Sequence, residues 1–173
     1  MPTIEISLEL DAIDPTSGNA GWNVVQGQWY EGVYRFYRGA NAGPIANRGL
    51  MTFKTNIPKN LAGTPAWNLV LHHVNASGDQ GAVLLRVEGS VLASGDTPVA
   101  MTVLVPNQLV GVDISGDQNI TALSGTNFDS LLALTAGNKL TIQVSRMPVT
   151  ASGDSLVGNW DLLLPPLLRC DVT

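Results

Sequence analysis

The segment MTFKTNI, residues 51–57, alternates apolar and polar side chains without interruption. Side chains two positions apart lie on the same face of a β-strand. This period of two therefore predicts a strand with one face in a core and the other in water. Residues 4–10 and 140–144 show the same alternation, so half-buried strands are expected near both ends of the chain and in its middle.

Three further stretches, residues 67–74, 82–91 and 99–105, are apolar on both faces. They are typical of interior strands or of strands covered by a neighbouring subunit. Two more strands are expected over residues 156–164 and 169–172, and a single helical turn over residues 128–134. Eight or nine short strands predict an all-β fold, a two-sheet antiparallel β-sandwich of the jelly-roll type.

The composition excludes several classes of protein. Only 13% of the 173 residues are charged, and 18 Gly with 10 Pro disfavour long helices. A net charge of -5 argues against a nucleic-acid partner, because binding nucleic acid requires positive side chains that neutralise its phosphates. The single Cys170 leaves no internal disulfide and no Cys-based zinc site. The apolar run at residues 162–168 is too short to span a membrane, and residues 1–5 lack the basic start of a signal peptide.

The tripeptide Ser-Gly-Asp occurs four times, beginning at Ser77, Ser94, Ser115 and Ser152. Gly supplies a positive φ, and the Ser and Asp side chains bond back to the chain, so the tripeptide is typical of turns. Asp oxygens also suit calcium, but no run of alternating Asp accompanies the turns. The sequence therefore favours turn chemistry, and we expect no metal and no cofactor.

The remaining polar residues have structural interpretations that outweigh catalytic ones. His72 and His73 are adjacent on a predicted strand, so one faces the core and the other the solvent, and they do not share a metal ion. Glu88 and Arg86 lie on one strand face and are expected to pair. Cys170 is expected to be a small buried residue. No catalytic residue is predicted, and the chain is not expected to be an enzyme.

The first part of the chain differs from the rest. Residues 22–37 hold six of the ten aromatic side chains, and residues 39–49 are rich in Gly, Ala and Asn. A boundary near Asn47 would separate an N-terminal arm or added strands, residues 1–46, from the sandwich, residues 47–173. The aromatic cluster fits a core, a protein contact or a sugar-stacking platform. The residues proposed for contact are Trp22, Trp29, Tyr30, Tyr34, Arg35, Tyr37 and Arg38.

Residues 51–172 resemble a family of tailed-bacteriophage virion proteins with a jelly-roll fold. The resemblance rests on FKTNIP at residues 53–58 with the strand after it, and on NASGD at residues 75–79 with the strand after that. The third and most distinctive piece is a strand ending in Arg146, a turn bearing Asp154, and a final apolar strand.

The resemblance implies a non-enzymatic structural component of the virion. The favoured function is a head decoration (cement) protein, a homotrimer bound to the major capsid protein and assembled in the bacterial cytoplasm. The alternative is a tail or receptor-binding module that recognises a host glycan. Neither implies a nucleic-acid or membrane partner. Residues 1–46 have no counterpart in the resemblance and are expected to be held mainly by contacts outside their own sandwich.

Overall fold

The computed structural model describes residues 3–13, 20–24, 32–36, 49–59, 67–75, 80–93, 100–112, 118–123, 137–147 and 153–171. Within these ranges the chain forms twelve β-strands in two antiparallel sheets. The seven-stranded sheet, sheet A, contains β1 (Thr3–Ser7), β3 (Ala20–Val24), β4 (Gly32–Phe36), β6 (Trp67–Asn75), β9 (Asn119–Leu123), β11 (Trp160–Leu162) and β12 (Leu167–Asp171). The five-stranded sheet, sheet B, contains β2 (Glu9–Ile13), β5 (Gly49–Asn56), β7 (Gly81–Leu92), β8 (Thr102–Val112) and β10 (Lys139–Arg146).

The strand order confirms the predicted antiparallel β-sandwich. Sheet B runs β2-β5-β10-β7-β8. In sheet A, β9 pairs with β6 off the main path, while β11 and β12 pair with different parts of β6. β4 continues the sheet beside β11, and β1 continues it beside β12. No helix in the described ranges is long and apolar enough to cross a membrane.

The core lies between the sheets and follows the period of two. In β5, Met51 and Phe53 point inward and are fully buried, whereas Lys54 on the other face is exposed. The inward face of β10 carries Leu140, Ile142 and Val144, and that of β6 carries Trp67, Leu69 and Leu71. Burial of these side chains is the main stabilising term of the fold, at about 1.5–3 kcal/mol each.

The N-terminal part of the chain belongs to the sandwich in its described ranges. β1 pairs with β12, β2 pairs with β5, and the antiparallel pair β3–β4 extends sheet A beside β11. Leu8 and Phe36 are fully buried in the main core. The expectation of contacts mainly outside the sandwich is therefore wrong for these residues, because their strands pair within its two sheets and the side chains of Leu8 and Phe36 complete its core. The boundary near Asn47 falls outside the described residues and stays a prediction.

Both faces of β6 are buried within one chain. Leu69 and Leu71 face the core, while Val70 and Val74 on the opposite face are also fully buried. Val74 packs in a second small cluster with Val33 and Leu163. The apolar outer face of this strand therefore needs no neighbouring subunit to cover it, and the predicted trimer loses that support while remaining a prediction.

A tight backbone contact fixes the start of β7. A Cβ atom on Gly81 would lie 2.8 Å from the backbone Cα and nitrogen of Leu156. The following residue, Ala82, accepts hydrogen bonds at its carbonyl from the backbone nitrogens of Ser155 and Leu156, at 2.9 and 3.1 Å. The segment around Leu156 therefore has little freedom to move away.

We expect Gly81→Ala to lower the free energy of unfolding by about 1–3 kcal/mol, because the added methyl group must push the two backbones apart. The matched control is Gly111→Ala. Gly111 is opposite Ala82 in the β7–β8 register, and its added Cβ would meet nothing within 4 Å. Urea unfolding of both variants measures the difference, and equal stabilities would contradict the contact.

Candidate binding groove

A polar groove of about 240 Å³ lies across β2, β5 and β10 of sheet B. It includes Leu140, and its polar lining consists of Glu9, Lys54, Thr55, Asn56, Lys139 and Thr141. The register of β5 and β10 places Asn56 opposite Lys139 and Lys54 opposite Thr141. Because directly opposite side chains share a sheet face, these four groups lie on the outer face, away from the core.

Electrostatics in the groove centre on Lys54. Its Nζ lies 2.5 Å from Oδ1 of Asp11, and both side chains are substantially exposed. The hydrogen bond and the charge of Asp11 raise the pKa of Lys54, and the charge of Glu9 raises it further, against a small lowering by desolvation. Lys54 is therefore a cation at physiological pH, with its position fixed by the neighbouring β2.

The lining offers ammonium, carboxylate, amide and hydroxyl groups, which together both donate and accept hydrogen bonds. Its volume lies below the usual range of about 300–1,000 Å³ for ligand pockets. The groove thus suits a small, hydroxyl-rich group, or one unit of a longer polar chain that runs across the sheet.

Of the residues proposed for contact, the two whose side chains the structure describes, Tyr34 and Arg35, do not line this groove. Tyr34 packs edge-on against Phe53 of the opposite sheet, with ring centroids 5.7 Å apart, and burial raises its pKa. Trp22 is the register partner of Tyr34 on β3. Trp29, Tyr30, Tyr37 and Arg38 lie outside the described residues, and their contact role stays a prediction.

Arg35 is held by a carboxylate of its own chain. Its Nε donates to Asp161 Oδ1 at 2.8 Å and its Nη2 donates to Oδ2 at 2.6 Å. The Asp161 side chain is fully buried, while that of Arg35 keeps 18% of its surface exposed. Removing Arg35 would leave a buried charge unpaired, so its first role is structural.

The two adjacent histidines lie on opposite faces of β6, as predicted. His73 faces the core and is fully buried, whereas His72 is partly exposed. In the described ranges no group of three or more potential metal-ligating side chains comes together. The predicted Arg86–Glu88 pair is present at 3.0 Å, and Cys170 is buried, as predicted.

The structure describes residues 153 and 154 of one Ser-Gly-Asp turn, and the Asp of this turn also forms an ion pair. Gly153 has the expected positive φ, at 117°. Asp154, in contrast, reaches away from the turn and forms a buried ion pair with Arg146, the residue that ends β10. The other three tripeptides lie outside the described residues.

The sequence signal for the groove was weak. The sequence placed Lys54 and Asn56 on the polar face of one strand and Thr141 on that of another, and it assigned no role to Lys139. Their meeting depends on the β5–β10 pairing, which no local pattern specifies. The one available signal was the placement of all three lysines of the chain, Lys54, Lys59 and Lys139, at the ends of these two strands.

Fold and groove define an antiparallel β-sandwich with a polar depression on one sheet. No protein-family model matches the chain, and no curated protein matches it. Among solved structures, it is similar to an isomalto-dextranase from Arthrobacter globiformis T6 complexed with panose, with a TM-score of 0.52 and 18% identity. That match covers 98% of this chain but 23% of the enzyme's chain, and it shows the fold alone.

Two more distant similarities are to a carbohydrate-binding module and to a virus structure. A family 35 carbohydrate-binding module from Clostridium thermocellum has a TM-score of 0.46 and 10% identity, and the match covers 98% of each chain. The structure of infectious bursal disease virus, Gx strain, has a TM-score of 0.40 and 10% identity, over 98% of this chain and 36% of that one. One sandwich architecture hosts many functions, so function must be argued from the groove.

Proposed function

We propose that this chain is a non-catalytic β-sandwich module that recognises a glycan through the groove on sheet B. The observation that carries the proposal is the lining itself. Thr141 and Asn56 present a hydroxyl and an amide group beside charged side chains in a depression of about 240 Å³. Sugar hydroxyl groups both donate and accept hydrogen bonds, and a lining of this kind can satisfy both.

The glycan proposal differs from a stacking platform built on the aromatic cluster. Phe36 of that cluster is fully buried beside Trp160, and Tyr34 packs on Phe53. These two rings stabilise the core and do not present an exposed face on which a sugar could stack. Recognition would instead come from hydrogen bonds on the polar face of β5 and β10, with the sandwich supplying a rigid support.

The proposal is tested by titrating the isotope-labelled protein with oligosaccharides and following its amide signals. We expect signals of residues 54–56 and 139–141 to shift, and the double variant Asn56→Ala/Thr141→Ala to bind about tenfold more weakly. Each lost hydrogen bond is worth about 0.5–1.5 kcal/mol. Asn68→Ala is the control, because Asn68 lies on sheet A, away from the groove. A panel of neutral and acidic sugars that moves no groove signal would refute the proposal.

The decoration function implied by the phage resemblance is a second proposal. In the part of the chain that the structure describes, four large apolar side chains are exposed by about half or more, and a partner surface would cover such groups: Leu109, Ile120, Val157 and Leu164. Its test is addition of the purified protein to phage heads that lack a decoration protein. Co-sedimentation with the heads, weakened by Ile120→Ser and Val157→Ser, would support it, and free protein at all concentrations would refute it.

A further inference from the structure

All three lysines of this acidic chain gather at one end of sheet B. Lys54 and Lys139 line the groove. Lys59 lies beside it, because its Cγ is 3.5 Å from the position that a Cβ on Gly137 would take, two residues before Lys139. The chain as a whole has a net charge of -5, so this end of the sheet opposes the charge of the protein.

The backbone holds Lys59 and Lys139 at this end. The nitrogen of Ile57 donates to the carbonyl of Asn138 at 2.8 Å, and the nitrogen of Gly137 donates to the carbonyl of Ile57 at 2.8 Å. Gly137 has a φ of 87°, a conformation that side-chain-bearing residues rarely adopt. These bonds tie the end of β5 to the start of β10, so the two lysines are held together by the fold.

The positive charges are only partly balanced. Lys54 is paired with Asp11, and Glu9 contributes a second carboxylate to the groove. Among the described residues, neither Lys59 nor Lys139 has a carboxylate within ion-pair distance, and both side chains are exposed. Two cations at one end of a sheet that have no carboxylate partner among the described residues repel each other, and a bound anion would offset that repulsion.

We propose that the groove selects anionic saccharides, with Lys139 and Lys59 contacting the carboxylate or sulfate group. This inference rests on the glycan-binding function proposed above and adds the class of glycan. The Thr141 hydroxyl and the Asn56 amide would bind the neutral part of the sugar ring. The paired Lys54 would orient Asp11 and Glu9, whose charges reject a second anion on the β2 side.

The experiment compares three sugars of equal length on the full chain: trigalacturonate, a sulfated trigalactan and neutral trigalactose. Binding is measured by calorimetry and by amide shifts of the groove residues. We expect both anionic sugars to bind about tenfold more tightly than the neutral one, with the difference shrinking as salt rises from about 0.05 to about 0.5 M.

The variant Lys59→Gln/Lys139→Gln should remove most of this preference, measured as the ratio of the affinity for the anionic sugars to the affinity for the neutral one. Lys59→Arg/Lys139→Arg should retain the preference, which separates charge from side-chain packing. Equal binding of the three sugars would overturn the anionic selectivity and leave the glycan function standing. Absence of groove shifts with every sugar would overturn both.

Discussion

Replacing Arg146 by Met is expected to lower the free energy of unfolding by about 3–5 kcal/mol, because it leaves the buried carboxylate of Asp154 without its charge partner. The guanidinium donates from Nε to Asp154 Oδ2 and from Nη2 to Oδ1, both at 2.9 Å. It also donates to the carbonyls of Leu156 and Gly158, each at 2.8 Å. With 1% and 0% of the two side chains exposed, water cannot replace these bonds.

Asp154→Asn should cost a similar amount for the converse reason. It would leave the charge of Arg146 buried beside a neutral amide, and it would weaken the acceptor for the backbone nitrogen of Leu84, now at 3.3 Å. Arg146→Lys should not rescue stability, since an ammonium group cannot donate bidentately while also reaching both carbonyls. Urea unfolding at neutral pH measures each loss.

The exposed pair of Arg169 and Glu5 is the matched control. Its shortest contact is 2.6 Å, but 38% and 44% of the side chains are exposed. Arg169→Met should therefore cost less than about 1 kcal/mol. The double variant Arg146→Met/Asp154→Leu should lose much less than the sum of the single changes, since it leaves no unpaired charge. Strictly additive losses would contradict a coupled buried pair.

The sequence predicted the long strands well because their patterns are continuous. β5, β6, β7 and β10 begin and end within two residues of the expected positions. Both kinds of pattern succeeded: the alternation in residues 51–57, and the two-faced apolar runs of β6 and β7. In each case the pattern runs without interruption over five or more residues, so a single exception does not obscure the period.

Elements that bend or switch sheets were not predictable. The alternation in residues 4–10 reads as one strand, yet the chain passes from β1 in sheet A to β2 in sheet B at Leu8. The alternation continues because both sheets face one core. β8 was expected at residues 99–105 but extends to Val112 through a bulge, where Asn107 takes a φ of 38°. Edge strands tolerate such bulges, and Pro106 is accommodated there.

Residues 156–159 were expected to be strand and are not. Their polar backbone groups are used elsewhere: Leu156 donates to Ala82 and accepts from Arg146. In a strand, the carbonyls of Leu156 and Gly158 would accept hydrogen bonds from a neighbouring strand, but here they accept them from Arg146. An apolar run in the sequence does not reveal such a contact. The short β9 was missed, because five residues are too few to reveal a period, and β3 and β4 were predicted only as an N-terminal hairpin or added strands without bounds.

The groove was harder to predict than the fold. Lys59 and Lys139 are far apart in sequence, and their proximity follows from the β5–β10 register and the bonds around Ile57. The aromatic cluster was compatible with a core, a protein contact or a sugar platform, and two of its members, Phe36 and Tyr34, pack inside the sandwich. The composition of a segment shows which side chains are present, whereas the pairing of its strands determines which of them lie on the same face of a sheet.

Lowering the pH from 6.5 to 5 is expected to destabilise the protein through His73 by about 2 kcal/mol. Burial, and secondarily the charge of neighbouring His72, lower the pKa of His73 to about 4 from its usual 6.5. Nε2 lies 2.9 Å from Thr121 Oγ1, while Nδ1 has no hydrogen-bond partner among the described groups. A protonated ring would carry a second N–H with nowhere to donate.

The sign follows from proton binding. Between pH 4 and 6.5 the unfolded chain holds a proton on His73 and the folded chain does not, so stability falls as the pH falls. Above pH 6.5 both states are neutral at this position and the contribution is complete. Below pH 4 both are protonated, and the total loss levels off at about 3 kcal/mol.

The test compares urea unfolding at pH 7.5, 6.5, 5.5 and 5.0, conditions chosen to stay above most carboxylate titrations. His73→Gln should be less stable than the unmodified protein at pH 7.5. Its free energy of unfolding should also fall less steeply between pH 6.5 and 5, because it lacks the imidazole ring that binds the proton. His72→Gln is the control on the other face of the same strand, and it should retain most of the slope. An unchanged slope in His73→Gln, or a His73 ring signal that titrates near 6.5, would show that the core accepts the charged imidazole.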